Sequence, residues 1–101
     1  MAVNNPDVVA EVAAAFAGYE AALVADDKAA LAGFFWDSQE TVRFGIADAQ
    51  TGTRQLRRWR DRQPPLPPGR RLADTRIATF GEHWAVVTTK FDYPGRAVVG
   101  R

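Results

Sequence analysis

Apolar residues in the first quarter of the chain recur every third or fourth position. Val9, Val12, Ala13, Phe16, Tyr19 and Leu23 fall on one face of a helix. The start signals agree with that reading. Asn5 can cap the helix, Pro6 suits its first position, and Asp7 complements the positive end of the helix dipole. Asp26 or Asp27 caps a second, shorter helix through Leu31 and Phe34. The aromatic run Phe34-Phe35-Trp36 ends it before a turn at Asp37-Ser38. Gln39 to Gly45 reads as a strand. Gly52 opens a third helix with Leu56 and Trp59 on its inner face and Arg54, Arg57, Arg58 and Arg62 on its outer face.

The segment Pro64-Pro65-Leu66-Pro67-Pro68-Gly69 favours an extended connection leaving that helix. Beyond it the period changes to two. Strands are predicted over Arg71–Phe80 and Trp84–Tyr93, joined by a turn at Gly81-Glu82-His83, and a third strand begins over Arg96–Gly100 after Pro94-Gly95. On the Trp84 strand both faces are largely apolar, with Trp84, Val86 and Thr88 on one and Ala85, Val87 and Phe91 on the other. A sheet that is apolar on both faces needs cover on both. The helices supply one cover, so a second subunit is expected on the other face. Helices followed by a meander of strands give an α+β class, and 101 residues without internal repeats form a single domain over 1–101.

Composition narrows the chemistry. There are no cysteines and one histidine, which removes disulfides, thiolate metal sites and cysteine nucleophiles and makes a multi-histidine metal site hard to build. No metal and no cofactor are expected. The N-terminus shows no basic segment followed by an apolar core, and the longest apolar stretch, Val12 to Tyr19, reads as too short for a signal or a membrane span. A cytoplasmic chain without membrane attachment is expected. Net charge is +1 but unevenly spread: residues 1–40 carry −6 and residues 41–76 carry +6. Either this dipole steers an anionic ligand toward the middle of the chain, or two solvated faces attract each other.

Several blocks together resemble a known family. They are Phe16-x-x-Tyr19-x-x-Ala22-Leu23, Asp26-Asp27, Phe34-Phe35-Trp36-Asp37-Ser38, Thr41-Val42-Arg43-Phe44-Gly45, Ala47-Asp48, Gly52, Trp59-Arg60 and Thr79-Phe80-Gly81. The chain is similar to the AtzH-like proteins, related to HpxZ of oxalurate catabolism, in the NTF2-like, SnoaL-type superfamily. That family more often has glutamate at Asp48 and phenylalanine at Trp59. The resemblance implies a cone: a curved antiparallel sheet wrapped around a long N-terminal helix, with a pocket at its mouth, usually dimerised through the sheet. It implies company with amidohydrolases of ureide and s-triazine breakdown. Because the superfamily spans enzymes and binding modules, the resemblance does not decide whether catalysis occurs. The family continues past Gly100-Arg101, so the resemblance also implies that the C-terminal strands are lacking here or supplied by a partner.

Five residues are singled out for a ligand site: Arg43, Tyr19, Trp36, Asp48 and Arg60. Arg43 sits inside a strand, where a guanidinium is either paired with Asp48, Glu40 or an acid of the first helix, or free to take a planar carboxylate through two hydrogen bonds. Its orientation relative to Val42 and Phe44 decides between them, and alternation alone does not. Tyr19 extends a hydroxyl beyond the apolar face of the first helix. Trp36 is either a pocket wall or packing. Asp48 orients Arg43, acts as a base, or caps a turn. Arg60 flanks the pocket mouth beside Trp59. The arginines of the third helix lack interleaved stacking aromatics, so no nucleic-acid partner is expected. His83 sits in a hairpin turn and is set aside.

Two functions follow. In one, a dimeric pocket protein binds a small carboxylate or ureide and assists amide or carbamate hydrolysis or decarboxylation. In the other, a non-catalytic module docks through its sheet, on itself or on an amidase.

Overall fold

A computed structural model describes residues 1–95 and 99–100. Helix α1 spans Pro6–Ala25. Asn5 caps it, its side chain accepting a hydrogen bond from the Asp7 amide at 3.0 Å. The helix ends where Asp26 turns left-handed at φ 54°. Asp27, rather than Asp26, then caps α2 (Lys28–Ala32), accepting from the Ala30 amide at 3.1 Å. This second helix stops short of Phe34. Helix α3 (Thr53–Asp61) begins at Gly52, as the sequence predicts. Gly52 has φ 82°, and a Cβ there would press on the Gln39 carbonyl oxygen at 3.3 Å, so the position favours glycine on both counts.

The strand expected over Gln39–Gly45 is only Val42–Phe44 (β1), and it pairs with a strand the sequence reading missed, Ala49–Thr51 (β2). The long strands match better. β3 runs Arg71–Phe80 and β4 runs Trp84–Asp92, antiparallel, with β5 (Val99–Gly100) pairing with the end of β4 at Phe91 and Asp92. The first part of the expected third strand, residues 96–98, lies outside the described residues. A bulge interrupts the β3–β4 ladder between Ala73 and Arg76, where Asp74 takes φ 53°. Such an insertion bends a strand, and beside it the hydroxyls of Thr75 and Thr89 are hydrogen-bonded at 2.8 Å.

Helix α1 packs against β3, α2 against α1 and α3, and α3 against β2, giving the mixed α+β architecture read from the sequence. By length and apolar composition alone α1 would also suffice to cross a membrane, contrary to the shorter apolar stretch read from sequence. In this fold it lies across the sheet, half-buried along Val9, Val12, Phe16 and Tyr19, with Ala22 fully buried. Its anchor is polar. Glu20 and Arg70 form a two-pronged pair at 3.0 Å for each bond, with side chains only 14% and 11% exposed. Arg70 also lies 4.2 Å above the Phe91 ring and reaches the Tyr93 hydroxyl at 3.4 Å. Burial alone depresses the Arg70 pKa, and the bonds to Glu20 and Tyr93 outweigh it, so the group is raised above its ordinary value and stays charged.

Removing one partner of an enclosed ion pair leaves the other charge stranded. Glu20→Ala is expected to cost about 3 kcal/mol of unfolding free energy. Val24→Ala, at an exposed position of the same helix, should change it by less than about 0.5 kcal/mol. Urea denaturation followed by circular dichroism measures both.

Candidate functional site

The β1–β2 hairpin is polar inside and apolar outside. Phe44 and Ile46 are 80% and 97% exposed, and Val42 is also exposed. Arg43 points the other way, directly across from Gln50, which is buried. This settles the question that alternation left open: Arg43 turns toward the helices.

Its guanidinium is held on one side. Nη1 donates to Gln50 Oε1 at 3.0 Å and to Asp48 Oδ1 at 3.1 Å. The carbon Cζ sits 3.8 Å from the centre of the Trp59 ring. Trp59 in turn donates its indole N–H to Asp48 Oδ2 at 3.0 Å. Asp48 therefore bridges a cation and the ring that the cation stacks on, an arrangement that favours the cation electrostatically at both contacts. Nε and Nη2 of Arg43 have no hydrogen-bond partner among the described residues and are not enclosed. One edge of the fork is thus open. The turn that allows this depends on Gly45, whose amide donates to the Asp48 carbonyl at 2.8 Å. A Cβ on Gly45 would collide with Asp48 Oδ1 and crowd Arg43 Nη1 at 3.0 Å.

Arg43 is one of the residues lining a cavity of about 540 Å³ between α1, α3 and the sheet. Tyr19 enters it from α1, its ring edge-on to Phe34 at 5.7 Å and to Phe35 at 6.2 Å, and its hydroxyl has no partner among the described residues. Arg60 enters from α3 with its guanidinium 4.9 Å from the Trp59 ring, and its Nη2 is enclosed and bonded to nothing. The Arg70–Glu20 pair and Phe91 form a further wall, and the extended Pro64–Pro67 segment closes the side beyond α3.

The structure therefore brings Arg43, Tyr19 and Arg60 to one cavity. Asp48 is not in the wall but holds Arg43 from behind, with both carboxylate oxygens engaged. Trp36 is the correction among the five. It is 68% exposed and lines no part of this cavity, because α2 ends early and the chain turns outward. Only its carbonyl is used, accepting from the hydroxyls of Thr41 and Thr53. His83 is exposed in the β3–β4 turn. Among the described residues no cluster of His, Asp and Glu is placed to hold a metal.

Sequence reasoning missed four participants. Trp59 is read there as packing, Gln50 is not named, Asp26 is one of two candidate caps yet stands in the cavity wall, and Glu20 is only one of the unnamed acids of the first helix. The usable signal was Glu20 itself, an acid flanked by Phe16, Tyr19 and Leu23 on an otherwise apolar face.

The AtzH-like family profile matches residues 1–101. The chain belongs to the AtzH-like family. Two crystal structures resemble this AtzH-like chain throughout. One is a cystatin-like fold protein from Burkholderia xenovorans LB400, 45% identical with a TM-score of 0.93, the match covering 98% of this chain and 77% of that one. The other is a protein of unknown function of the DUF3225 family from Pectobacterium atrosepticum SCRI1043, 38% identical with a TM-score of 0.90, covering 96% and 76%. No curated protein matches the chain. The likeness places the helices and sheet of this AtzH-like domain in the NTF2-like α+β fold.

Gly45→Ala tests the Asp48 bridge. Displacing the carboxylate should free the Trp59 indole N–H, moving its proton resonance and speeding its exchange with solvent. Losing that charge-assisted bond should cost about 1–3 kcal/mol. Asp48→Ala should give the same indole signature.

Proposed function

We propose that this AtzH-like protein binds a small polar carboxylate or ureide in the cavity between α1, α3 and the sheet. The observation that carries the reading is the half-engaged guanidinium of Arg43. Asp48 and Gln50 fix Nη1, Trp59 fixes the plane, Nε and Nη2 have no partner among the described residues, and Arg43 lines a cavity that Tyr19, its hydroxyl unengaged, also lines. A planar carboxylate or carbamate meets such an edge with two parallel hydrogen bonds, and the fixed rotamer lowers the entropy lost on binding. Arg60 adds positive charge beside it. The basic middle of the chain draws anions toward this mouth.

The company that AtzH-like and HpxZ-type proteins keep supports a role in ureide or s-triazine-type nitrogen catabolism, in the cytoplasm. There the domain would assist an amide or carbamate hydrolysis or a decarboxylation. Arg43 would hold the anion and Tyr19 would hydrogen-bond it. Asp48, with both oxygens bonded, orients Arg43 and is poorly placed as a base. Asp26, in the cavity wall and without a hydrogen-bond partner from its side chain among the described residues, is the carboxylate available to take a proton.

A second reading has its own observation. The sheet face opposite the helices carries Phe80, Trp84 (76% exposed) and Val86. The accessible surface is 7458 Å², whereas a compact monomer of this mass exposes about 5,700 Å². The radius of gyration, 14.7 Å, likewise exceeds the roughly 13 Å of a compact domain of this length. An excess of roughly 1,800 Å² per chain is more than one side of an ordinary protein interface. This favours an interaction module whose sheet face meets a second copy, or an amidase.

Thermal melts separate the two. A ligand at a hundred times its dissociation constant adds about 2.7 kcal/mol, on the order of 10–20 °C at this size. Oxamate, malonate and N-carbamoylglycine should include one that gives such a shift in the wild type and none in Arg43→Met. No shift with any of them removes the pocket reading. Analytical ultracentrifugation of the wild type and Trp84→Asp tests the other: a dimer that Trp84→Asp dissociates supports docking through the sheet, and a wild-type monomer counts against self-docking.

A further inference from the structure

A second concavity lies on the other side of Arg60, in the groove between α2 and α3. Its volume is about 420 Å³. Leu31, Ala32, Phe35 and Leu56 make an apolar floor, with Leu31 and Leu56 buried. The hydroxyl of Thr53, at one end, is already committed to the carbonyls of Trp36 and Ser38. The floor therefore offers almost nothing to a polar ligand.

The rim has a different character. Lys28, Arg57 and Arg60 stand around the groove against a single acid, Asp61. Lys28 bonds the carbonyls of Asp61 and Gln63 at 3.2 and 3.0 Å, which occupies two of its three donors without neutralising its charge. Arg57 and Arg60 are three apart on α3, so they rise on the same side. Neither has a salt-bridge partner among the described residues. The Nη2 of Arg60 is enclosed and bonded to nothing, a costly condition for a charged group.

We infer that this groove is a second ligand site, for an aliphatic monocarboxylate. The alkyl chain lies along Leu31, Ala32, Phe35 and Leu56, and the carboxylate meets the arginine rim. A mostly apolar concavity with a few convergent charged groups at one end is the ordinary form of a small-molecule site. The ligand differs in kind from that of the Arg43 cavity, where Tyr19 and the open guanidinium edge call for a small polar molecule. The inference shares only Leu31 and Arg60 with that cavity, each lining both, and stands whether or not the cavity binds.

The test is a series of butanoate, hexanoate, octanoate and decanoate titrated into the ¹⁵N-labelled protein. Affinity should rise by about fourfold per methylene until the groove is filled. The amide shifts should concentrate on 28–35 and 53–61. Ala32→Phe, which fills the groove, should abolish octanoate binding. Arg57→Glu, an exposed change that leaves the floor intact, should weaken it by at least tenfold, the worth of a charge-assisted hydrogen bond. Arg43→Met should leave it unchanged. Chain-length independence overturns the inference, as do shifts centred on Trp84 and Val86, wild-type affinity in Arg57→Glu, or loss of binding in Arg43→Met.

Discussion

The ion pair between Glu20 and Arg70 holds together parts that apolar burial holds only weakly. Few apolar side chains are fully enclosed among the described residues: Ala22, Leu31, Leu56 and Tyr93. Helix α1 touches the sheet along a half-buried stripe, which is thin attachment for twenty residues. One guanidinium compensates by making three contacts at once, to Glu20 on α1, to the Phe91 ring on β4 and to the Tyr93 hydroxyl just beyond it. An enclosed pair is not by itself a gain over apolar packing, because both ions must be desolvated. What it supplies is position. It sets the height of α1 above the sheet, and so the gap in which the cavity lies. Tyr19, next to Glu20 in sequence, is placed in that gap by the same clamp.

A second arginine shows the same logic at the cavity itself. Arg43 is fixed by a neutral amide, a carboxylate and an aromatic face, and each contact constrains a different degree of freedom. Gln50 and Asp48 hold Nη1, and Trp59 holds the plane. Trp59 is itself tethered through its indole N–H to Asp48, so each of the three side chains touches the other two. Gly45 makes the unit possible, since any side chain at that turn would occupy the space of the Asp48 carboxylate. A guanidinium organised in this way is ready for an anion before the anion arrives.

These arrangements explain which parts of the sequence could be read. The strand from Arg71 to Phe80 was legible to its ends because the proline segment before it and the Gly81 turn after it mark both boundaries. The caps at Asn5 and Asp27 and the opening of α3 at Gly52 were legible because each rests on chemistry local to two or three residues. The β1–β2 hairpin was only half legible. Three-residue strands give too little alternation to fix a boundary, and their pattern is inverted, with Phe44 and Ile46 outward and Arg43 inward. Pattern reading supplies two faces but no label for which is inside. For the site, Tyr19 and Arg60 could be nominated because they sit on helices of known inner face. Trp36 could not be excluded in the same way, since its orientation depends on where α2 stops. The pairing of Glu20 with Arg70, fifty positions away, has no local signature at all.

The inverted hairpin and the exposed sheet face are two consequences of one constraint. A chain of this length has few side chains to distribute, and those that line a cavity are withdrawn from the surface. The alternation of a strand then forces their apolar neighbours outward: Arg43 inside places Val42 and Phe44 outside, and the ladder that sends Thr89 and Phe91 toward the cavity leaves Trp84 and Val86 on the opposite face. Ligand binding and docking are therefore not competing designs for this fold. A surface that covered the outer face would press on the strands whose inner residues shape the cavity. An anion bound at Arg43 would in turn stiffen the hairpin that carries Phe44.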